Sequence, residues 1–254
     1  ETPYSGYVNI GVKNKGEYQQ LNTNILQIEN EYYSTVRPKQ ILISNEKPSL
    51  ALKKRGVQYI ELRSLDVNAF EPAGINEEQM YFIEAFILLN LLQESEEITR
   101  QEQIEIDQNE IETAHYGRTP GFKLMRDGVE LLLKDWGIKL CDEMKPICNA
   151  LDKANNTTNY SKSLVIQREI FIDSSKTPSA RMLNDMKNNG EGFYHFALRL
   201  SQQHKNFFDN YELSEKDINF YKDMASLSIK NQEDIEQSDS ISFEQYLENY
   251  FSQS

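Results

Sequence analysis

The segment Tyr59-Ile60-Glu61-Leu62-Arg63-Ser64 holds the residues with the clearest chemical use. Read as a strand, its side chains alternate, so Tyr59, Glu61 and Arg63 share one face while Ile60 and Leu62 point to the other. A carboxylate on such a face can hold a hard cation such as Mg2+. A guanidinium two residues away can grip a phosphate or carboxylate with two parallel hydrogen bonds. The stretch from Gln27 to Tyr33, read the same way, lines up Gln27, Glu29, Glu31 and Tyr33 opposite Leu26 and Ile28. Two such strands suggest a sheet covered by helices on its apolar side, with its polar side looking into a cleft. Arg37-Pro38-Lys39 adds two cations near the same end, either as phosphate grips or as solubilising residues. The pattern also fits the wetted face of an antiparallel sheet whose charges pair across strands.

The elements that must hold these residues change character along the chain. Gly6 to Val12, Gln20 to Glu29 and Val57 to Ser64 are short, β-branched or aromatic runs with period-two alternation, which predicts strands. Asn14-Lys15-Gly16 and Asn45-Glu46-Lys47-Pro48 read as turns between them. After Pro72 the period becomes helical. Asn76 is an N-cap, followed by Glu77 and Glu78 and by apolar positions running to Leu92. Further helices are expected at about 99–114, 127–151, 159–173, 178–188, 191–208, 214–230 and 242–251, with Ser238-Asp239-Ser240 as a link before the last. The expectation is an α+β chain: a sheet portion at residues 1–73 and a helical region at 74–254, whose segment from about 212 is acidic.

Composition narrows the function classes. The 254 residues carry 27 Lys and Arg against 40 Asp and Glu, a net charge of −13, which argues against coating nucleic acid or anionic membrane. The longest apolar run, Ala85 to Leu89, is too short to span a bilayer. Residues 1–70 hold nine basic and seven acidic residues, so anion binding is best sought there. Cys141 and Cys148, seven apart on a helix, lie about 10 Å apart along its axis and cannot bridge. They read as buried thiols of a reducing, cytoplasmic setting. His115, His195 and His204 fall in helical patterns without metal-ligand spacing, and Arg118 falls in a turn. No Walker, Rossmann or nucleophile-elbow motif is present. The first residue, Glu1, is not a methionine, and the sequence reads as beginning inside a longer polypeptide.

The run from Gly56 to Pro72, GVQYIELRSLDVNAFEP, resembles the signature strand and following loop of the proteobacterial type of glutamate–cysteine ligase, and Leu21 to Lys39, LNTNILQIENEYYSTVRPK, is similar to the segment upstream of it. The opening ETPYSGYVNIGVKNKGEYQQ, the turn Gly117-Arg118-Thr119-Pro120-Gly121, and Thr177-Pro178-Ser179-Ala180-Arg181 before a helix follow the family's order. The match is close over the first 73 residues and looser beyond. It extends over the whole chain, but only as the C-terminal half of the family's enzyme.

This resemblance implies a glutamine-synthetase-like antiparallel sheet portion (residues about 6–70) followed by the helical region. It implies a cytoplasmic ligase that joins L-glutamate to L-cysteine with ATP and Mg2+ or Mn2+, through a γ-glutamyl phosphate, in the first step of glutathione synthesis. By the same resemblance Glu61 is a metal-binding carboxylate. Arg63 is the catalytic arginine that faces the γ-phosphate and the glutamyl carboxylate, and Tyr33 helps to hold the substrate cysteine. Asn30, Arg37 and Lys39 are further substrate-binding candidates, and Glu29 lies near the site, none with a fixed individual role. The family's other metal carboxylates belong to an N-terminal half, so the chain is expected to need that half as its partner and to be inactive alone. Two alternatives stand beside this: another carboxylate–amine ligase of the same superfamily, or a non-catalytic helical interaction module.

Overall fold

A computed structural model gives the structure, which describes residues 2–43 and 45–253; Glu1 lies outside them. In chain order the elements are α1 (Ser5–Ile10), β1 (Lys13–Asn14), β2 (Glu17–Tyr18), β3 (Val36–Lys39), α2 (Pro48–Arg55), β4 (Tyr59–Leu62), α3 (Glu77–Leu92), α4 (Arg100–Tyr116), β5 (Lys123–Arg126), β6 (Val129–Leu132), α5 (Leu133–Asn155), α6 (Asn159–Ile172), α7 (Pro178–Asn189), α8 (Phe193–Asp209), α9 (Glu215–Ser238) and α10 (Phe243–Phe251). The fold is helix-rich, and among the described residues its strands form three antiparallel pairs: β1 with β2, β3 with β4, and β5 with β6. The chain groups into two compact units, one of Glu1–Asp66 with Leu213–Ser254 and one of Val67–Glu212.

In the unit Val67–Glu212 the helices close on one another. Asn76 starts α3 with a reciprocal capping box, its side chain accepting from the Gln79 N–H while the Gln79 side chain returns to the Asn76 N–H. Ala85 and Leu89 on α3, Cys141, Met144 and Cys148 on α5, and Tyr160 and Leu164 on α6 form a buried core. Burial pushes both thiols up, Cys148 to about 11, so they are inert packing groups. At Gly137 a Cβ would lie 2.2 Å from the Phe171 ring, so α5 and α6 meet where the smaller residue lets them.

Several polar groups of this unit also find partners within it, although Glu105 Oε2 and Trp136 Nε1 are buried without a hydrogen bond. The N-terminus of α6 receives no cap from Thr158. Instead, Asp152 on α5 accepts from the N–H groups of Tyr160 and Ser161, each at 3.0 Å. The Tyr160 hydroxyl donates to Glu84 at 2.7 Å; that carboxylate, with burial behind it, raises the phenol to about 12. Thr177 caps α7 through the Ala180 N–H, and Arg181 stacks over Phe70 at 4.3 Å, so the TPSAR segment builds a helix start.

The other unit departs from the alternation read in its sequence. Gly6 to Val12, expected as a strand, contains α1. The Tyr4 carbonyl accepts the first helical N–H groups, and the Gln20 side chain donates to the carbonyls of Tyr7 and Gly11 at its end. Gln20 to Glu29 forms no strand either. The Gln27 amide accepts from the N–H groups of Leu21 and Asn22 and donates to the carbonyls of Asn22 and Asn24. Amide side chains thereby take backbone groups that a sheet ladder would need. Glu29–Glu31 is a 3-10 turn, not part of a second polar strand. The partner of β4 is β3, at Arg37-Pro38-Lys39 itself, in the register Arg37↔Glu61 and Lys39↔Tyr59. The turn read at Asn45–Pro48 leads directly into α2, which opens on Pro48.

In the helical region, the expected helix at 127–151 begins six residues late because Asp127-Gly128, both at positive φ, turns the β5–β6 hairpin first. The remaining expected helices are present within a few residues, except that α9 runs on to Ser238. The apolar side of the β3–β4 pair, expected under helices, is open: Ile60 is 44% exposed and Leu62 39%.

Candidate active site

The antiparallel pairing of β3 and β4 gathers the charged residues. Opposed residues of such a pair project to the same side, so Arg37, Lys39, Tyr59 and Glu61 share one face, and alternation along the chain adds Arg63. The Arg63 N–H donated to the Thr35 carbonyl, at 2.8 Å, extends the ladder past β4 and fixes the backbone that carries this arginine.

Glu61 is the centre of this face. The Arg63 guanidinium grips its carboxylate with two hydrogen bonds, Nε to Oε1 at 3.0 Å and Nη2 to Oε2 at 3.3 Å. The Lys39 ammonium reaches Oε2 at 2.9 Å. The Arg63 hydrogen bonds, and after them the one from Lys39, hold the carboxyl below the usual carboxylate range. Glu61 is therefore ionised at neutral pH, a hard oxygen donor set between two fixed cations. The Tyr33 ring lies 5.6 Å from the Arg63 guanidinium carbon and is largely exposed, with its edge free for a further ligand.

Arg37, Asn30 and Glu29 form a supporting group. Arg37 is buried and donates to the carbonyls of Asn30 and Glu29, both at 3.1 Å, pinning the 3-10 turn that leads to Tyr33. The Glu29 carboxylate accepts from the N–H and hydroxyl of Ser49 at 2.8 and 2.7 Å and so caps the first turn of α2. The structure thus brings Glu61, Arg63, Lys39 and Tyr33 together, while Arg37 and Asn30 meet through a backbone carbonyl.

Beside this face lies a cavity of about 680 Å3, walled by Glu29, Asn30, Arg37 and Lys39 on its polar side and by apolar residues including Leu42 and Leu52. Tyr59 was read on the polar face, whereas Tyr32 and the α2 residues Ser49 and Leu52 of this wall escaped the sequence reading; Gly56, which ends α2, was the available signal. Arg118 sits in the turn before β5 in the other unit, where its carbonyl accepts from Ser174. His115 lies on α4, and His195 and His204 on α8.

The arrangement can bind an anion. Three cations share the face with one carboxylate, and two of them, Lys39 and Arg63, already point at a common oxygen pair. Glu61 is a single carboxylate paired with Arg63 and Lys39, and no metal-ligating cluster occurs among the described residues. Glu61 could therefore contribute to a hard divalent ion only together with substrate phosphates and further ligands. No helix among the described residues is long and apolar enough to cross a membrane.

Comparison with known proteins concerns the chain as a whole. Residues 1–113 match the family model for glutamate-cysteine ligase. The glutamate–cysteine ligase of Pseudomonas syringae pv. syringae is 41% identical over 251 residues, which is 98% of this chain and 47% of the relative. That of a Janthinobacterium species is 38% identical over 97% of this chain and 47% of its own length. A crystal structure of the Francisella tularensis glutamate–cysteine ligase in complex with AMP superposes with a TM-score of 0.88 at 34% identity, covering 98% of this chain and 49% of that one. The chain is similar to these ligases and spans about half the length of the curated relatives it matches.

Proposed function

We propose that the chain is the C-terminal half of a cytoplasmic glutamate–cysteine ligase. In this reading the β3–β4 face is the part of its active site that activates glutamate. The observation that carries the reading is the Glu61–Arg63 pair, held bidentate beside Lys39 and Tyr33 in a segment matched by the ligase family.

In the proposed reaction the γ-carboxylate of glutamate attacks the terminal phosphorus of ATP. The bond to the bridging oxygen breaks, ADP leaves, and γ-glutamyl phosphate forms. The amine of cysteine then attacks the acyl carbon, phosphate leaves, and the amine gives up a proton. Both steps crowd anionic groups together, so fixed positive charge is the main service the protein can render. Arg63 presents a planar fork suited to a carboxylate or phosphoryl oxygen pair, and its cation is already placed before the charge develops. Lys39 adds a second cation on the same side. Glu61 would hold Mg2+ or Mn2+, which when bound supplies charge neutralisation for the phosphates. Tyr33, fixed through the turn that Arg37 pins, offers its hydroxyl to the incoming cysteine. The strands β3 and β4 would be part of a larger antiparallel sheet of the glutamine-synthetase-like kind, with the remaining strands, metal carboxylates and nucleotide contacts supplied by the other half.

The test reconstitutes the chain with the part of the Pseudomonas syringae relative that it does not match and follows ADP release with glutamate, ATP, Mg2+ and cysteine. Arg63→Lys keeps the charge but loses the fork, and Glu61→Gln keeps the shape but loses the charge. Each is expected to lower turnover by about 100-fold or more. Turnover unchanged in both would overturn the assignment of this face.

A further inference from the structure

Helix α9 is 24 residues long, about 36 Å at 1.5 Å per residue, and has no buried residue. Its start is specified: Ser214 accepts from the Asp217 N–H and also donates to the Asp217 carboxylate. Its two sides differ sharply. Asn219, Ser226, Lys230, Glu233 and Gln237 recur at helical spacing and form a polar stripe. Phe220, Tyr221, Met224, Leu227 and Ile235 gather on another side, interrupted by Asn231, and each is more than half exposed. A helix that gathers large apolar residues on one side presents that side for burial.

We infer that the apolar side of α9 is a seat for the other half of the ligase polypeptide, the part of the relatives' length that this chain does not match. This rests on the reading of the chain as one half of such an enzyme. Three observations choose this occupant. The relatives carry about as much sequence outside the matched region as within it, since the chain covers 47% of them. The superposition on the Francisella tularensis enzyme takes in 98% of this chain, so α9 is retained in a polypeptide that includes a second half of equal size. Between Phe220 and Ser238 no acidic or basic residue falls on the side that carries Phe220, Tyr221, Met224, Leu227 and Ile235, Asp217 lying at its start, so little charge opposes burial there.

The probe is the unmatched half of the Pseudomonas syringae relative, produced separately and titrated into the 254-residue chain. Sedimentation is expected to show a one-to-one complex. The paired change Met224→Glu with Leu227→Glu should weaken that complex by about 30-fold or more, whereas Ser226→Glu on the polar stripe should leave it unchanged. Circular dichroism verifies that each variant keeps its helix content. If the paired variant does not fold, hydrogen exchange on the unaltered chain decides: the amides of α9 should slow when the other half is added. A complex that is equally tight with the paired variant, with α9 amides unchanged, overturns the inference, and so does a failure of the unaltered halves to associate. Loss of a homodimer of this chain in the paired variant, with no effect on the mixed complex, would assign the side to a second copy and overturn it too. Cysteine-dependent ADP release measured in the same mixtures separates the two levels. Active mixtures insensitive to the α9 changes sink this inference alone, while a tight complex without ligase activity sinks the reading beneath it.

Discussion

The two units of the chain answer opposite demands. In Val67–Glu212 seven residues of α3, α5 and α6 form a buried core, and side chains of the unit hold the starts of α3, α6 and α7. In Glu1–Asp66 with Leu213–Ser254, the buried residues among those described are Ala51, Leu247 and the charged Arg37, while Ile60, Leu62 and the apolar side of α9 face outward. The second unit is where the anion-binding face lies. Both units expose large apolar residues, but the second has the smaller buried set and carries the candidate chemistry, so the first is the more closed and the second the more open.

This contrast predicts unequal sensitivity to truncation. Met144→Ala removes a fully buried side chain from the closed core and should cost about 2–5 kcal/mol in urea unfolding of the 254-residue chain. Leu62→Ala, on the open side of β4, should cost less than about 1 kcal/mol in the same chain and more once the other half is bound. Equal costs in the chain alone would break the distinction between the units.

A smaller effect sharpens it. Asp152→Ala leaves the N–H groups of Tyr160 and Ser161 without their acceptor and should cost about 1–2 kcal/mol. Burial opposes the Asp152 charge, but hydrogen bonds from the Ser161 side chain and from the N–H groups of Ser161 and Tyr160 outweigh it and hold the carboxyl low. A carboxyl held lower in the folded state than in the unfolded one contributes stability above the unfolded value near pH 4 and loses it as the pH falls toward the folded value. The difference between the unaltered chain and Asp152→Ala should therefore be constant above about pH 5 and shrink below pH 4. A difference that grew on acidification would contradict the cap.

Much of the closed unit was legible because its signals are local. The Asn76 cap with Glu77 and Glu78 after it, the Thr177-Pro178 start and the long apolar stretch of α3 specify helices irrespective of what surrounds them. The Asp127-Gly128 hairpin shows the same locality, since that dipeptide outweighs the helical pattern that follows. The open unit was harder. Period-two alternation in Gly6 to Val12 and Gln20 to Glu29 was overridden by amide side chains, Gln20 and Gln27, that bond the backbone across several residues. Alternation does not reveal where a side chain hydrogen-bonds. The candidate face was nevertheless visible, because Glu61 and Arg63 needed only a four-residue strand to meet. Their neighbour Lys39 was found in the sequence, but its strand was not, since a proline at position 38 disguises β3. Arg37, read as a substrate-binding candidate, lies buried against carbonyls, an environment that residue type does not announce.

The most direct measurement is ADP release with glutamate, ATP and Mg2+, with and without cysteine, from the 254-residue chain, from the complementary half of the Pseudomonas syringae relative, and from the two together. The account predicts cysteine-dependent release from the mixture and none from either part. Cysteine-dependent release from the 254-residue chain alone would contradict it, as would a folded, associated mixture that releases no ADP.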